Sequence, residues 1–129
     1  MKAGKLQIKR VYLPPEDGDG HRVLVDRLWP RGVTKDRAAL ELWCRDAAPS
    51  ADIRREYCHD PEKFPAFQEA YRAELEKNDA AADLAEKCGT WLESGSVTLL
   101  YAAKDGIHNN AAVLKEWIKI KLDDKEREN

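Results

Sequence analysis

Two short stretches carry the side chains best suited to chemistry, Asp26-Arg27-Leu28-Trp29-Pro30-Arg31 and Lys104-Asp105-Gly106-Ile107-His108-Asn109. Each sets an acid beside a base directly after an apolar run. Arg27, Arg31 and Lys104 are the cations that hold a phosphate or carboxylate, arginine through a two-pronged fork. A helix starting at Asn109 or Asn110 would add free N–H groups for the same anion. His108 changes charge near neutral pH and can move a proton, with Asp105 to orient it and Asp26 as a second acid–base candidate. Trp29, stiffened by Pro30, offers a flat face to a ring. Arg10 and Tyr12 join the group if the first strand ends at the same edge. The catalytic candidates are Asp26, Asp105 and His108. The ligand-binding candidates are Arg10, Tyr12, Arg27, Trp29, Arg31, Lys104 and Asn109. A structural reading competes: Asp26 and Arg27 pair with each other, Arg31 lies on the surface, Lys104-Asp105 is a solvated turn and His108 caps a helix entry.

Periodicity indicates what must position these residues. The run 97–103 is uncharged and mostly apolar up to Lys104, which predicts a strand buried on both faces. Residues 6–12 predict a first strand, stopped by Pro14-Pro15, and residues 22–28 a second. Val113, Leu114, Trp117, Ile118 and Leu122 have helical spacing, so a helix follows the central strand, with Asn109 or Asn110 as its cap. Ser50 can cap a short helix through Tyr57. Asp60 and Pro61 open another with the stripe Phe64, Phe67, Tyr71 and Leu75, its first turn distorted by Pro65. Asp79 can cap a further helix that ends at Gly95. The segment 34–48 reads as a helical turn and then irregular chain, although the alternation of Leu40 and Leu42 leaves room for one more strand. Residues 123–129 are polar and are expected to fray. The order strand, strand, helices, strand, helix predicts one α/β domain. Its fold would be a small three-layer α/β/α sandwich around a mostly parallel sheet, with 23–25 and 97–103 as adjacent parallel strands at the centre. In such a sheet the two charged loops meet at the carboxyl edge, where α/β proteins bind ligands.

Composition narrows the function classes. A chain of 129 residues suits one domain and buries roughly two-thirds of its unfolded surface without needing a metal or disulfide. The formal net charge of −2 lacks the basic excess of a nucleic-acid binder, so nucleic acid is not expected as a partner. No run approaches the roughly eighteen apolar residues of a membrane span, and the first residues lack a signal peptide's apolar core. Cys44, Cys58 and Cys88 form no C-x-x-C pair, which suggests free thiols in a reducing cytoplasm. Cys44 and Cys88 read as packing residues, and Cys58 beside His59 is the thiol with most scope for chemistry. His21, His59 and His108 are too scattered for a zinc site. No phosphate-cradling glycine loop or G-x-S-x-G elbow is present, and no cofactor is assigned.

The runs R-V-Y-x-P-P-E-D-G-D-G-x-R-V-L-V-D-R-L-W-P-R-G, A-P-S, H-D-P-E-K and V-T-L-L-Y-A-A-K-D-x-x-H-N-x-A-x-V-L-K resemble the YeaO-like branch of domain-of-unknown-function family 488. The resemblance covers residues 8–118. It implies a compact α/β fold in a prokaryotic cytoplasm and no settled activity. Its motif positions include Arg10, Tyr12, Asp26, Arg27, Trp29, Arg31, His59, Asp60, Tyr101, Lys104, Asp105, His108 and Asn109. Other branches carry a cysteine at the end of the central strand, where this chain has Tyr101, so a thiolate mechanism is not implied here. The expected partner is a small anion, a nucleotide or phosphorylated metabolite, taken either by an enzyme or by a non-catalytic sensor. The alternative is an interaction or regulatory module whose charged loops meet another protein.

Overall fold

Every residue of β4 (Val97–Tyr101) is buried, as befits a strand covered on both faces. The computed structural model describes residues 4–128. In it β4 lies between β1 (Leu6–Arg10) and β2 (His21–Leu24), parallel to both, with Val97 opposite Leu6 and His21. A short β3 (Leu42–Trp43) pairs parallel with β2 and completes the order β1-β4-β2-β3. The two apolar runs therefore stand side by side at the centre of an all-parallel sheet. The region 34–48 holds more order than a helical turn and irregular chain. After α1 (Lys35–Ala38) it enters the sheet as β3, held where Glu41 N–H donates to Arg22 O and Cys44 N–H to Leu24 O, both at 2.8 Å. Two residues are too few for a strand pattern to show in the sequence.

One sheet face carries Val23, Val97, Leu99 and Tyr101. It packs against α2 (Ala51–Tyr57), α3 (Phe64–Leu75), α4 (Asp79–Trp91) and α5 (Asn110–Glu128). The other face carries Leu24 and Leu100, which meet Val11, Trp29, Leu40 and Trp43. The β1–β2 and β2–β3 connections cover this second face, containing a 3-10 turn (Asp17–Asp19) and α1. The molecule is thus an α/β sandwich with one thick helical layer and one thin layer. Polar groups share the thin side: Lys9, Asp19, Arg22, Gln7 and Thr98 form a hydrogen-bonded network beneath the 3-10 turn.

Helix ends follow local chemistry. Asn78, not Asp79, caps α4, its side chain accepting from Ala81 N at 3.1 Å. Asn and Asp are equally good caps, and the choice falls to the residue whose backbone is still extended, φ −103° at Asn78. Ser50 precedes α2 without a side-chain cap bond, and its N–H donates to Glu74 Oε1 instead. The proline-rich start of α3 resolves into a separate 3-10 turn (Pro61–Lys63) before Phe64, so Pro65 falls in the first turn, where no N–H is required. α5 runs past residue 123 to Glu128. Its last turns are rich in helix-favouring Lys and Glu, and Lys125 reaches Glu86 of α4 at 3.9 Å. Asn129, the last residue of the expected frayed tail, lies outside the described residues.

Gly20 joins the 3-10 turn to β2 with φ +63°, and a β-carbon there would lie 2.0 Å from the Ser96 carbonyl oxygen. Both the left-handed backbone and the close approach require glycine. Gly20→Ala is expected to cost about 2 kcal/mol or more, read as a lower urea midpoint with unchanged slope.

Candidate functional site

The connections after β2 and β4 leave on opposite sides of the sheet, toward the thin layer and toward α5 respectively. Adjacent parallel strands whose exits diverge open a crevice at their carboxyl ends. A cleft of about 420 Å³ occupies that position. Its walls come from 26–31 after β2, from Ala102, Ala103 and 108–110 after β4, and from α2 and the turn that follows it.

Asp26 ties these walls together. Its Oδ2 accepts from Ala102 N and its Oδ1 from Asn110 Nδ2, both at 3.0 Å, and Asn110 Nδ2 also donates to Val25 O at 3.1 Å. Burial raises the Asp26 carboxyl above the usual range. The bonds from Asn110 and Ala102 and the nearby charges of Arg54 and His59 offset this only in part. Asp26 does not pair with Arg27. The Arg27 guanidinium makes two long bonds, to Ala48 O at 3.3 Å and Pro49 O at 3.4 Å. Such bonds are weak and leave donor capacity. Arg31 is exposed on the cleft wall, while Tyr12 Oη donates to its backbone oxygen at 3.0 Å and fixes the loop. Trp29 is held by a bond from Nε1 to Val33 O at 2.6 Å and by an edge-on contact with Trp43.

On the other wall, Asp105 folds the loop after β4 back on itself. Its Oδ1 accepts from the N–H groups of Ile107 and His108, and its Oδ2 meets His108 Nδ1 at 2.9 Å. The His108 and Ile107 N–H groups, with the His108 ring, hold this carboxyl at about 2. That turn carries His108 and Asn109 into the cleft wall. Asn109 caps α5, its side chain accepting from Ala112 N at 2.8 Å.

The sequence candidates therefore separate. Tyr12, Asp26, Arg27, Trp29, Arg31, His108 and Asn109 line the cleft. Asp105 stands behind His108 as its orienting partner and is not itself on the wall. Lys104 is exposed and off the wall, because the turn at Asp105 redirects the chain only after it. Arg10 also stays off the wall. Its Nε donates to Ala102 O and Ala103 O, each at 3.2 Å, and its guanidinium lies over the Tyr12 ring, so it braces both loops from behind.

Four polar wall residues were absent from the candidate set: Arg54, Tyr57, His59 and Asn110, the last of which was named only as a possible helix cap. Arg54 Nε is buried and has no hydrogen-bond partner among the described residues. Tyr57 Oη donates to His108 O at 2.9 Å, which ties α2 to the loop after β4. Cys58 and His59 both have positive φ, 48° and 55°, a sparsely populated conformation for non-glycine residues. This kink ends α2 and brings His59 to the cleft. His59 was legible in the H-D-P-E-K run and beside Cys58, but not as part of an anion site. Nothing in the sequence distinguishes Arg54 from its neighbour Arg55, which pairs with Asp52 on the surface.

The arrangement places three arginines and two histidines around a single carboxylate, a cationic lining with apolar walls from Leu28, Trp29, Pro49 and Phe67. Among the described residues no group of three or more His, Cys, Asp or Glu could hold a metal ion. No helix among them is long and apolar enough to cross a membrane.

Comparison with known proteins agrees over nearly the whole chain. The uncharacterized protein YeaO of Escherichia coli (strain K12) is 40% identical over 118 residues, 88% of this chain and 96% of its own. The uncharacterized proteins Rv3073c of Mycobacterium tuberculosis (strain ATCC 25618 / H37Rv) and Mb3100c of Mycobacterium bovis (strain ATCC BAA-935 / AF2122/97) are each 38% identical over 118 residues, 92% of this chain and 97% of theirs. No solved structure gives a significant match. The family description that matches residues 5–129 is DUF488-N3i, the inactive DUF488-N3 subclade, and the chain belongs to that family.

Proposed function

We propose that the cleft at the carboxyl ends of β2 and β4 binds a small anionic ligand, a nucleotide or phosphorylated metabolite, without turning it over. The observation that carries this reading is the charge of the lining, with Arg27, Arg31 and Arg54 facing the single acid Asp26. Guanidinium groups with spare donors in a partly desolvated crevice favour a phosphate, which accepts two of their N–H bonds at once. Arg54 Nε, buried without a partner, has most to gain from such an acceptor. Trp29 can lie against a base or sugar while the phosphate meets the arginines. The subclade's designation as inactive supports a binding role over a catalytic one.

A catalytic reading draws on two features, the raised Asp26 carboxyl and the Asp105–His108 pair. These suit proton transfer. Turnover separates the two readings. Calorimetric titration with inorganic phosphate, ribose 5-phosphate and uridine monophosphate is expected to give saturable, salt-sensitive binding, with the last two ligands recovered unchanged after prolonged incubation. Arg54→Ala should weaken binding about tenfold or more. An absence of binding for all three probes at low ionic strength would remove the anion site, and ligand consumption that disappears in Asp26→Asn or His108→Ala would replace the binding role with an enzymatic one.

A further inference from the structure

Four large apolar side chains are strongly exposed among the described residues: Leu13, Leu28, Ile107 and Ile120. Single exposed aliphatics are ordinary on a protein surface. Three of these four, however, belong to segments that leave the carboxyl ends of the strands. Leu28, 65% exposed, lies on the cleft wall itself. Leu13 directly follows the wall residue Tyr12, and Ile107, 74% exposed, directly precedes the wall residue His108. Leu28 therefore stands at the edge of a cationic cleft, and Leu13 and Ile107 each lie one residue from its wall.

We infer that this edge docks an acidic segment of another protein, one carboxylate entering the cleft and neighbouring aliphatic side chains covering Leu28 and Ile107. The inference rests on the anion-binding reading of the cleft and adds a macromolecular partner to it. Charge complementarity selects the partner's sign, since three arginines face one acid while the chain as a whole carries −2. The volume selects the mode of entry. A cleft of about 420 Å³ accepts a side chain or a chain terminus, and the rest of a larger partner must lie across the mouth. The rim selects protein over single-stranded nucleic acid. Bases are held by exposed aromatic faces, whereas here the exposed groups are aliphatic. Tyr12 lies beneath Arg10, and Trp29, half-buried in the cleft wall, offers a face to one ring and no platform for successive bases. The net negative chain also lacks the long-range attraction for a polyanion that a basic surface supplies.

The test is selection of random twelve-residue peptides displayed on phage against the full chain, followed by fluorescence polarisation with the synthesised winner. Enrichment of peptides combining Asp or Glu with Leu, Ile or Phe is expected. The double variant Leu28→Ser with Ile107→Ser should weaken the winner at least about tenfold, the loss expected when two aliphatic groups no longer leave water. Ile107→Ser alone, off the cleft wall and exposed, should weaken the winner while keeping the wild-type thermal midpoint and phosphate affinity. Arg54→Ala should weaken peptide and phosphate alike. No enrichment, enrichment of basic or uncharged peptides, or equal affinity in the double variant overturns the docking face. Tighter binding of oligouridine than of the peptide overturns it in favour of nucleic acid. Self-association that Leu28→Ser abolishes, seen by sedimentation, overturns it in favour of a second copy. Phosphate binding without peptide binding defeats this inference alone, and peptide binding without phosphate binding defeats only the small-ligand reading.

Discussion

Asp19→Ala is expected to lower the unfolding free energy by about 3–5 kcal/mol, the usual result of leaving buried charges without their partner. Asp19 is 5% exposed and sits under the thin layer of the sheet. Both of its oxygens accept from Lys9 Nζ at 3.1 Å, Oδ2 also accepts from Glu16 N at 3.0 Å, and Arg22 pairs with it. Arg22 is itself 5% exposed, donates through Nε to Ala38 O, and has one terminal nitrogen without a partner among the described residues. Removing the carboxylate leaves the buried Arg22 without its counter-charge, while Lys9 keeps Glu16 Oε1 at 2.7 Å and Pro14 O at 2.8 Å. The double variant Asp19→Leu with Arg22→Met should recover most of the loss, since apolar side chains of similar size replace a buried pair at little cost. Urea denaturation measures both. The pH dependence has a definite sign. Burial alone would raise the Asp19 carboxyl, but the bonds from Glu16 N–H, Lys9 and Arg22 outweigh it and hold it below its usual 3.8. The unfolded chain then binds the proton more tightly than the native one. The stabilisation is complete above 3.8 and is lost as pH falls through the lower native value. Asp19→Ala should therefore be less sensitive to acid over that window. A cost under 1 kcal/mol would show that water reaches Arg22 and Lys9 and that the network is not a buried one.

Asp26→Ala is expected to cost about 2–3 kcal/mol and to disorder the cleft. The variant leaves Ala102 N–H and one amide hydrogen of Asn110 without acceptors, at the point where β2, β4 and the start of α5 converge. Asp26→Asn keeps the shape of the side chain while removing the one acid of the cleft. It should hold phosphate several-fold more tightly than wild type at neutral pH, because the anion no longer faces a carboxylate. The pH behaviour is opposite to that of Asp19. Burial raises Asp26 above 3.8, so the native state binds its proton more tightly than the unfolded chain. Its contribution is most favourable below 3.8 and diminishes as pH rises through the raised native value. Chemical denaturation of the alanine variant and phosphate titration of the asparagine variant check the two halves. Unchanged phosphate affinity in Asp26→Asn would mean that the anion binds away from this carboxylate.

The central pair of strands was legible in the sequence because burial on both faces leaves an unbroken apolar run, and few other environments do so. The start of α5 was legible to within one residue, Asn109 or Asn110, since capping depends on the chemistry of one short side chain and its own backbone, and the structure assigns the cap to Asn109. The contribution of 26–31 and 108–109 to a common edge followed from strand direction alone. What escaped was set by geometry that no local pattern encodes. Lys104 and Asp105 look alike as loop residues, yet Asp105 turns the chain through its own carboxylate and leaves Lys104 outside. Arg10 reads as a ligand group but braces the backbone of the neighbouring loop. Arg54 and Arg55 are adjacent and chemically equal, and the way α2 packs places one on the cleft wall and leaves the other paired with Asp52 at the surface. The amino-acid sequence by itself determined the parallel α/β arrangement, the central strands and, to within one residue, the start of the last helix, because each rests on local periodicity or local hydrogen bonding. The tertiary structure alone decided which cations face the cleft, because that depends on the diverging exits of β2 and β4 and on α2 packing across the gap between them.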